Sequence, residues 1–467
     1  MLEGLEIREF QLSECIKNKD YRIDTDYYIK SPLKNENLTY KRIGDCLLYS
    51  QYGISIEMNE VNKGYPIYRM NEIHDMLCDI ETNKYADIDK DTFEIFRLND
   101  KDVLFNRTNS YDFVGRTGVY YNNDGVERTF ASYLVKFVPN SEIILPEYLA
   151  TYLNTKQGIW DIKRRARQSI NQTNVNPEEV KEMDIPILSM DIQKAIQDRV
   201  ASANSSRCQA DRLYKGVEKF MSEVLGISTI DYGHNNKNIV SLRNSFHASG
   251  RLDAEYYQPQ YDVLFKLLEQ YDTKMLGELV VISKSIEPGS DYYLTEGVPF
   301  VRVADLTKFG VTEPSIYLDK DIFKDVIRPK QDTILMSKDG SIGIAYKVEK
   351  DEDFITSSAI LHLQIIDDNI LPDYLTLVIN SKVVQMQAER DAGGSIIQHW
   401  KPSEISNVVI PILPMEKQQE ISQKVQESFR LRNESKRLLN VAKTAVEIAI
   451  NEGEETALKF LKENGNE

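Results

Sequence analysis

The sequence predicts a mixed α+β protein made of two tandem, pseudo-twofold-related globules and two long helices that pair antiparallel as a coiled coil. A sixteen-residue segment occurs twice, as IPILSMDIQKAIQDRV at 185–200 and as IPILPMEKQQEISQKV at 410–425, 225 residues further on. After each copy, apolar or small residues recur at alternating steps of three and four, which is typical of a coiled-coil helix. Tandem duplication therefore organises the chain.

Further matched segments extend the duplication over most of the chain. Each pair has its own common pattern, such as an Arg-x-Asp opening, a Pro-x-x-Arg strand, an apolar strand that starts with Asp, or a helix that starts with Leu-Pro-x-Tyr-Leu. The matched pairs are 22–28 with 251–257, 41–44 with 274–277, 65–71 with 298–304, 102–105 with 332–335, and 145–149 with 371–375. The offset varies between 225 and 233 residues, which indicates that loops changed length while the elements were kept.

Each copy combines short strands with helices. Apolar runs such as PIYRM, DVLFN, GVYYN and SYLVKFV predict strands in the first copy, and PFVRV, DTILM, GIAYKV and ILHLQII predict them in the second. Stretches 146–157 and 372–390 open with proline and predict helices. The predicted segments are an N-terminal segment at 1–19, a globule at 20–188, a spacer helix at 189–226, a connector at 227–248, a second globule at 249–413, a second spacer helix at 414–450, and a C-terminal tail, interpreted as solvated, at 451–467.

The two long helices are expected to pair along a seam. Each starts after a short strand and a turn, where proline pre-sets φ and lacks the N–H that a first helical turn leaves unpaired. The seam positions include Ile196, Val200, Arg207, Ile421, Val425 and Arg432. A helix of about 37 residues spans about 55 Å, a length suited to a spacer between two heads that read spaced half-sites. The alternative is that each helix simply lies on its own globule.

The two seam arginines are equivalent under the 225-residue shift, so antiparallel pairing would bring Arg207 and Arg432 close together. Two buried guanidinium groups repel unless carboxylates pair with them. Asp211 and either Glu427 or Glu434 are the predicted partners. The alternative is that both arginines extend outward to water.

Composition narrows the class of protein. Net charge is −16, hydrophobic content is 41% and mean hydropathy is −0.43. No apolar run is long enough to span a membrane, no secretory signal is evident, and the four cysteines form no CxxC. We expect a cytoplasmic chain without a metal site. The negative charge disfavours a non-specific nucleic-acid binder but not a specific one with locally concentrated bases.

On these residues the chain resembles, over its whole length, the specificity subunit of type I restriction–modification systems. The resemblance rests on the duplicated I-P-x-L-P-x-x-x-Q-x-x-I helix entry, the Arg-x-Asp-x-x-Tyr-Tyr openings and the GSIIQ stretch at 394–398. The first copy departs from it, with Ser189 in place of the second proline and no glycine pair at 168–172.

The resemblance implies that each globule is a target recognition domain and that the helices fix the distance between the two. It implies double-stranded DNA with a bipartite site as the target. Two methyltransferase subunits would methylate adenines there, and restriction subunits would add cleavage. S-adenosylmethionine, and ATP with magnesium, would bind those partners and not this chain.

No catalysis is expected from this chain. It has no Pro-Pro dipeptide for an adenine-methylase loop, no G-x-G-x-x-G and no P-loop. A nuclease interpretation would use Glu179 and Lys181 with Asp161, but an E-x-K spacing is expected by chance in a chain that is 28% charged.

Candidate DNA contacts lie in loops rich in amide, hydroxyl and guanidinium groups, which pair with base edges and phosphates. In the first copy they are Arg107, Asn109, Ser110, Arg116, Arg164, Arg165, Arg167, Gln168 and Gln172. In the second they are Lys338, Ser341, Gly394, Ser395, Gln398 and His399. Three arginines within four residues are suited to clamp phosphates. Ordinary hairpin turns and a solvated helix end are the alternatives, and Trp400 is either a stacking residue or core.

Two other functions remain open on the sequence. A coiled-coil scaffold that binds other proteins fits the net charge of −16. The specificity part of a related restriction or defence assembly would differ in its nuclease partner.

Overall fold

The computed structural model describes residues 9, 11–17, 22–24, 27–28, 34–170, 172–227, 237–392 and 398–464. Contacts divide the chain into two compact units. Unit 1 consists of Met1–Gln209 and Leu431–Glu467, and unit 2 of Ala210–Arg430. Both units mix helices with sheets, which confirms the predicted α+β class.

Unit 1 is built on a six-stranded sheet of order β2-β12-β8-β10-β6-β5, with a second sheet of order β11-β4-β7-β3. Its strands are β1 Tyr40–Arg42, β2 Leu47–Tyr52, β3 Met58–Asn59, β4 Tyr65–Tyr68, β5 Ile73–His74, β6 Leu77–Cys78, β7 Tyr85–Ala86, β8 Val103–Asn106, β9 Thr108–Asn109, β10 Thr117–Val119, β11 Thr129–Phe130, β12 Leu134–Pro139, β13 Arg167–Gln168, β14 Thr173–Asn174 and β15 Asp184–Pro186. Strands β8 and β12 are almost wholly buried, as their apolar runs require.

The helices that start in this part of the chain are α1 Leu12–Lys17, α2 Lys90–Phe96, α3 Pro146–Leu153, α4 Lys156–Arg165, α5 Pro177–Lys181 and α6 Met190–Val224. The single helix predicted at 146–157 is therefore two helices. Asn154 follows the last residue of the first helix, and Thr155 caps the second, because its hydroxyl accepts a hydrogen bond from the Gly158 amide.

Unit 2 has a four-stranded sheet of order β17-β25-β22-β23 beside a smaller one of order β21-β18-β24. Its strands are β16 Thr273–Met275, β17 Val280–Lys284, β18 Val298–Val301, β19 Leu306–Thr307, β20 Gly310–Val311, β21 Tyr317–Leu318, β22 Ile334–Ser337, β23 Ala345–Lys347, β24 Ile355–Thr356, β25 Ile360–Ile365 and β26 Val409–Pro411. Its helices are α7 Phe246–Ser249, α8 Pro259–Leu268, α9 Leu276–Leu279, α10 Pro372–Ile379, α11 Lys382–Asp391, α12 Pro402–Ser406 and the first part of α13 Met415–Glu452. The helix predicted at 372–390 is again divided in two.

The two long helices follow strands β15 and β26, as the strand–turn–helix pattern predicts. Each helix contributes residues to both units. In unit 1 they run antiparallel, because Ser189, which precedes α6, lies at the end of α13 beside Glu454, while Ser435 donates to the Ala203 carbonyl at 2.7 Å. In unit 2 Ser428 makes the equivalent bond to Ala210, at 2.8 Å. Within the described ranges, no helix is long and apolar enough to cross a membrane.

The predicted seam residues are placed as follows. Ile196 and Val200 are fully buried in the core of unit 1, and Ile421 and Val425 are buried in that of unit 2. Arg432 is half-buried in unit 1.

Arg207 does not pair with the carboxylates predicted for it. Its guanidinium donates to the Cys78 carbonyl and lies 3.9 Å from the Asp79 carboxylate, both on the globule of unit 1. The β5–β6 hairpin carries those two groups to the helix, an approach that helical periodicity alone does not reveal. Glu427 and Glu434 bond to arginines three residues further along their own helix.

A glutamine at the equivalent position of each copy holds the start of each long helix. Gln193 accepts a hydrogen bond from the Leu145 amide at 2.9 Å and donates to the carbonyls of Ile143 and Leu188. Gln418 makes the three equivalent bonds in unit 2, with Leu371, Asn369 and Leu413. Both glutamines are buried. The repeated Gln in the motif is therefore an internal tie that satisfies backbone groups where a loop meets the helix.

The expected solvated tail is wrong for residues 454–463, which form helix α14 Glu454–Glu463 in unit 1. Ala457 and Leu461 are buried, and Leu461 packs with Val441 and Ala445 of α13. The segment LKFL supplies the apolar face, which the acidic residues around it obscure in the sequence.

Candidate nucleic-acid interface

Unit 1 brings the two predicted polar loops together in one small sheet. Strand β9 pairs with β14, with Asn109 opposite Thr173, and β14 pairs with β13, with Gln168 opposite Thr173. The Thr108 hydroxyl donates to the Asn174 side chain at 2.7 Å. We call the residues Asn109, Ser110, Arg167, Gln168 and Gln172 the first polar surface.

The side chains of this surface are available to solvent. Arg167, Gln168, Gln172 and Ser110 are exposed, and Asn109 is half-exposed. Gln172 closes the turn after β13, because its carbonyl accepts bonds from the Ser169 amide and hydroxyl, both at 2.8 Å. Amides and a guanidinium are the groups that read base edges and hold phosphates.

The three clustered arginines do not act alike, which corrects the predicted three-arginine clamp. Arg165 is 4% exposed and bonds to the Asp161 side chain and to the Glu179 carbonyl. Arg164 also bonds to Asp161 and stacks on the Tyr27 ring, 4.6 Å from its centroid. Asp161 therefore balances one of these two positive charges and holds both guanidinium groups against the unit instead of leaving them in solvent.

Arg167 alone of the three keeps an exposed guanidinium, 43% accessible, although it bonds to Glu179 at 2.7 Å. Arg107 is half-buried; it donates to the Ser132 carbonyl at 3.2 Å and lies over the Tyr52 ring. Arg116 is half-buried too, and burial lowers its pKa. It sits 4.0 Å from the centroid of the Phe113 ring.

The turn after β9 is held from below by Lys163 of helix α4. Its ammonium donates to the carbonyls of Tyr111, Asp112 and Val114. Burial lowers the pKa of Lys163 to about 8. Gly115 has φ of +91° and lies so close to Ile162 that an added Cβ would come within 2.5 Å of it. The turn therefore has a fixed shape against α4.

Unit 2 repeats this juxtaposition with different side chains. Asp339 and His399 form an antiparallel bridge, and the Gly340 amide donates to the Gln398 carbonyl at 2.9 Å. Ser341, Gln398 and His399 are exposed. We call Lys338, Ser341, Gln398 and His399 the second polar surface. Gly394 and Ser395 lie outside the described residues.

The second polar surface carries little free positive charge. The carboxylate of Asp339 bonds to the Lys338 ammonium and also accepts from the His399 ring at 2.9 Å. Ser341 accepts a hydrogen bond through its carbonyl from the Ser337 hydroxyl, which fixes the turn. Trp400, next to the surface, is 1% exposed and belongs to the core.

Sequence reasoning missed Lys163 as an individual residue. Only the three neighbouring arginines were singled out as candidates. No local pattern shows that its ammonium reaches three carbonyls some fifty residues upstream. The pairing of Asp161 with Arg164 and Arg165 was also missed, although its spacings of three and four residues on one helix are a local signal that could have shown it.

Comparison with known proteins bears on the whole chain. The family described as the type I restriction modification DNA specificity domain matches twice, at residues 35–203 and 269–441. The chain belongs to this family. This specificity subunit is similar to a curated protein of Methanocaldococcus jannaschii, the putative type I restriction enzyme MjaX specificity subunit. The two are 23% identical over 410 residues, which cover 84% of this chain and 86% of the relative.

Two solved structures are also similar to this specificity subunit. The S subunit of a type I system from M. genitalium is 14% identical with a TM-score of 0.40, over 92% of this chain and 98% of that one. The HsdS subunit from Thermoanaerobacter tengcongensis is 15% identical with a TM-score of 0.30, over 90% and 98%.

Proposed function

We propose that this chain is the sequence-specific DNA-recognition subunit of a type I restriction–modification complex. It reads a bipartite target in double-stranded DNA, one block through each polar surface. Two methyltransferase subunits then methylate adenine N6 in that target, and restriction subunits cleave DNA. S-adenosylmethionine, ATP and magnesium bind those partners, in a cytoplasmic complex.

One observation carries the proposal. In each unit the chain joins two distant polar stretches into a single surface, by β9–β14–β13 in unit 1 and by the Asp339–His399 bridge in unit 2. In both units a residue of the first stretch pairs with a residue of the second, whereas the side chains that the two surfaces present differ. Two surfaces with different amide, hydroxyl and basic groups suit two blocks of different sequence.

The two surfaces carry few positive charges, which fits a complex in which other subunits supply part of the phosphate contacts. Arg167 is the one exposed arginine of the first cluster, and in the second surface Lys338 is paired with Asp339. Phosphate contacts contribute much of the affinity of protein–DNA complexes. A protein of net charge −16 therefore depends on its methyltransferase partners for many of those contacts.

The test is methylation by the complex. The chain is expressed with its cognate methyltransferase, and the host DNA is sequenced for N6-methyladenine. We expect a split motif of two short blocks around a fixed gap. No new methylation, with a methyltransferase shown to be active with another specificity subunit, would favour the scaffold interpretation.

Two variants then assign the blocks. Gln168→Ala should relax the motif in one block and His399→Ala in the other, because loss of a base contact reduces discrimination by roughly 5- to 150-fold. Lys320→Ala is the control, since Lys320 is exposed and lies outside both surfaces. Loss of discrimination in the same block by both variants would contradict the assignment of one surface to each block.

A further inference from the structure

The turn that follows the first polar surface presents two aromatic rings to solvent. Tyr111 is 40% exposed and Phe113 is 46% exposed. Both come directly after Asn109 and Ser110, so the rings continue the surface that β9, β14 and β13 form. Exposed apolar side chains that are grouped and rimmed by polar residues are typical of interaction sites.

The turn is rigid. The amides of Phe113 and Val114 donate to the Ser110 carbonyl at 3.1 and 2.9 Å, and the Asn106 side chain donates to the Phe113 carbonyl at 3.3 Å. Lys163 ties three further carbonyls from below. The rings are therefore held on a preorganised support, which lowers the entropy lost when they bind.

Each ring has a cation against it. The Lys163 ammonium lies 4.8 Å from the centroid of Tyr111, and the Arg116 guanidinium lies 4.0 Å from that of Phe113. Asp112, exposed in the same turn, and the more distant Asp75 and Asp79 are the acidic groups nearby. Aromatic rings interleaved with cations suit the flat faces of bases next to phosphates.

We propose that Tyr111 and Phe113 form an aromatic wedge that stacks on base faces at one step of the block read by unit 1. This rests on the proposed function. The contact is non-covalent: ring faces replace part of the base–base stacking at a step, as apolar wedges do in proteins that bend DNA. It makes readout of this block depend on how easily the step unstacks.

Unit 2 does not repeat this wedge in the loop that corresponds to the turn. The corresponding loop, KDGSIG at 338–343, contains no aromatic residue. The two blocks are therefore read by different means, with stacking in one and hydrogen bonding alone in the other. This asymmetry supplies an internal control in the same complex.

The test uses the complete complex with its methyltransferase and a DNA duplex that carries the methylated motif. 2-Aminopurine is placed at successive positions of the Gln168-dependent block, other than the methylated adenine. Wild-type complex should raise its fluorescence at one step, because an unstacked 2-aminopurine is no longer quenched. Phe113→Ala should abolish that signal and weaken binding by roughly 5- to 150-fold, the range for one base–aromatic stack.

Matched variants separate stacking from a structural effect. Phe113→Tyr keeps the ring and should retain signal and affinity, whereas Phe113→Leu keeps an apolar side chain and should lose both. Tyr292→Ala, which removes a ring that is 49% exposed in unit 2, should change neither. Thermal unfolding of each variant should match wild type, because the side chain at 113 is half in water.

The proposal is overturned if Phe113→Ala and Phe113→Leu, both folded, bind within twofold of wild type, or if no position of the block gains fluorescence. A wild-type complex that methylates a split motif while the wedge variants behave as wild type would refute the wedge alone. A wild-type complex that recognises no DNA motif would refute the proposed function and the wedge with it.

Discussion

Replacing Gln418 with leucine should loosen unit 2 where its long helix starts. The side chain is 1% exposed, and its three hydrogen bonds, to Leu371, Asn369 and Leu413, are 2.9, 3.0 and 2.8 Å long. Leucine fills similar volume but leaves one buried N–H and two carbonyls without that partner. At about 0.5–1.5 kcal/mol for each of the three net bonds, the loss is about 1.5–4.5 kcal/mol.

Hydrogen exchange measures this locally, which matters because a protein of two units need not unfold in one step. The Leu371 amide should exchange faster in Gln418→Leu, while the Leu145 amide, held by Gln193 in unit 1, should not change. Gln419→Leu is the control, since Gln419 is the exposed neighbour on the same helix. Unchanged exchange at Leu371 would show that the glutamine tie is not what holds this loop.

Three other changes test the remaining features. Burial lowers the pKa of His362 to about 4. Below pH 6.5 the unfolded chain therefore binds a proton that the folded chain does not, and the free energy of unfolding of unit 2 should fall by about 3 kcal/mol as pH falls to 4. Urea unfolding at several pH values measures this dependence, which His362→Phe should remove. An equal pH dependence in the variant would disprove the prediction. Lys163→Met removes the donors that hold the turn after β9, so the Val114 amide should exchange faster and base discrimination should fall in one block of the motif only. Loss of discrimination in both blocks would contradict a local role. Ser435→Val overfills the contact with Ala203 and should destabilise unit 1 by about 1–3 kcal/mol in urea unfolding; wild-type stability would mean that the helices are not closely packed there.

Much of the fold follows from local chemistry that the sequence displays. The apolar runs at 103–106 and 360–365 are strands because nearly all their side chains are buried. Both long helices begin close to the predicted residue, since the strand, turn and proline pattern is local. The short break between α3 and α4 was not predicted, because it depends on the Thr155 cap, a signal of one residue inside a helical pattern.

The candidate site was predictable only in part. Both polar stretches of each copy were identified, yet the pairing that unites them joins residues more than fifty positions apart. Whether each arginine side chain is exposed or paired inside the unit was not predicted. Whether Arg165 faces DNA or Asp161 depends on burial, and charge counting treats Arg165 and Arg167 as equals. The position of each arginine on its helix or strand, and not its residue type, decides which guanidinium group is exposed to solvent.

The segment of unit 2 lies, along the sequence, between the two segments of unit 1, and this order has a consequence for biosynthesis. Unit 1 needs Leu431–Glu467, so it stays incomplete while all of Ala210–Arg430 is made. At about 5–20 residues per second that delay is roughly 10 to 45 seconds. Meanwhile the apolar face of α6 around Ile196, Val200 and Ala203 lacks the α13 residues that share its core. Unit 2 is thus the first to close on the ribosome, and the waiting half of unit 1 is where a chaperone is most needed.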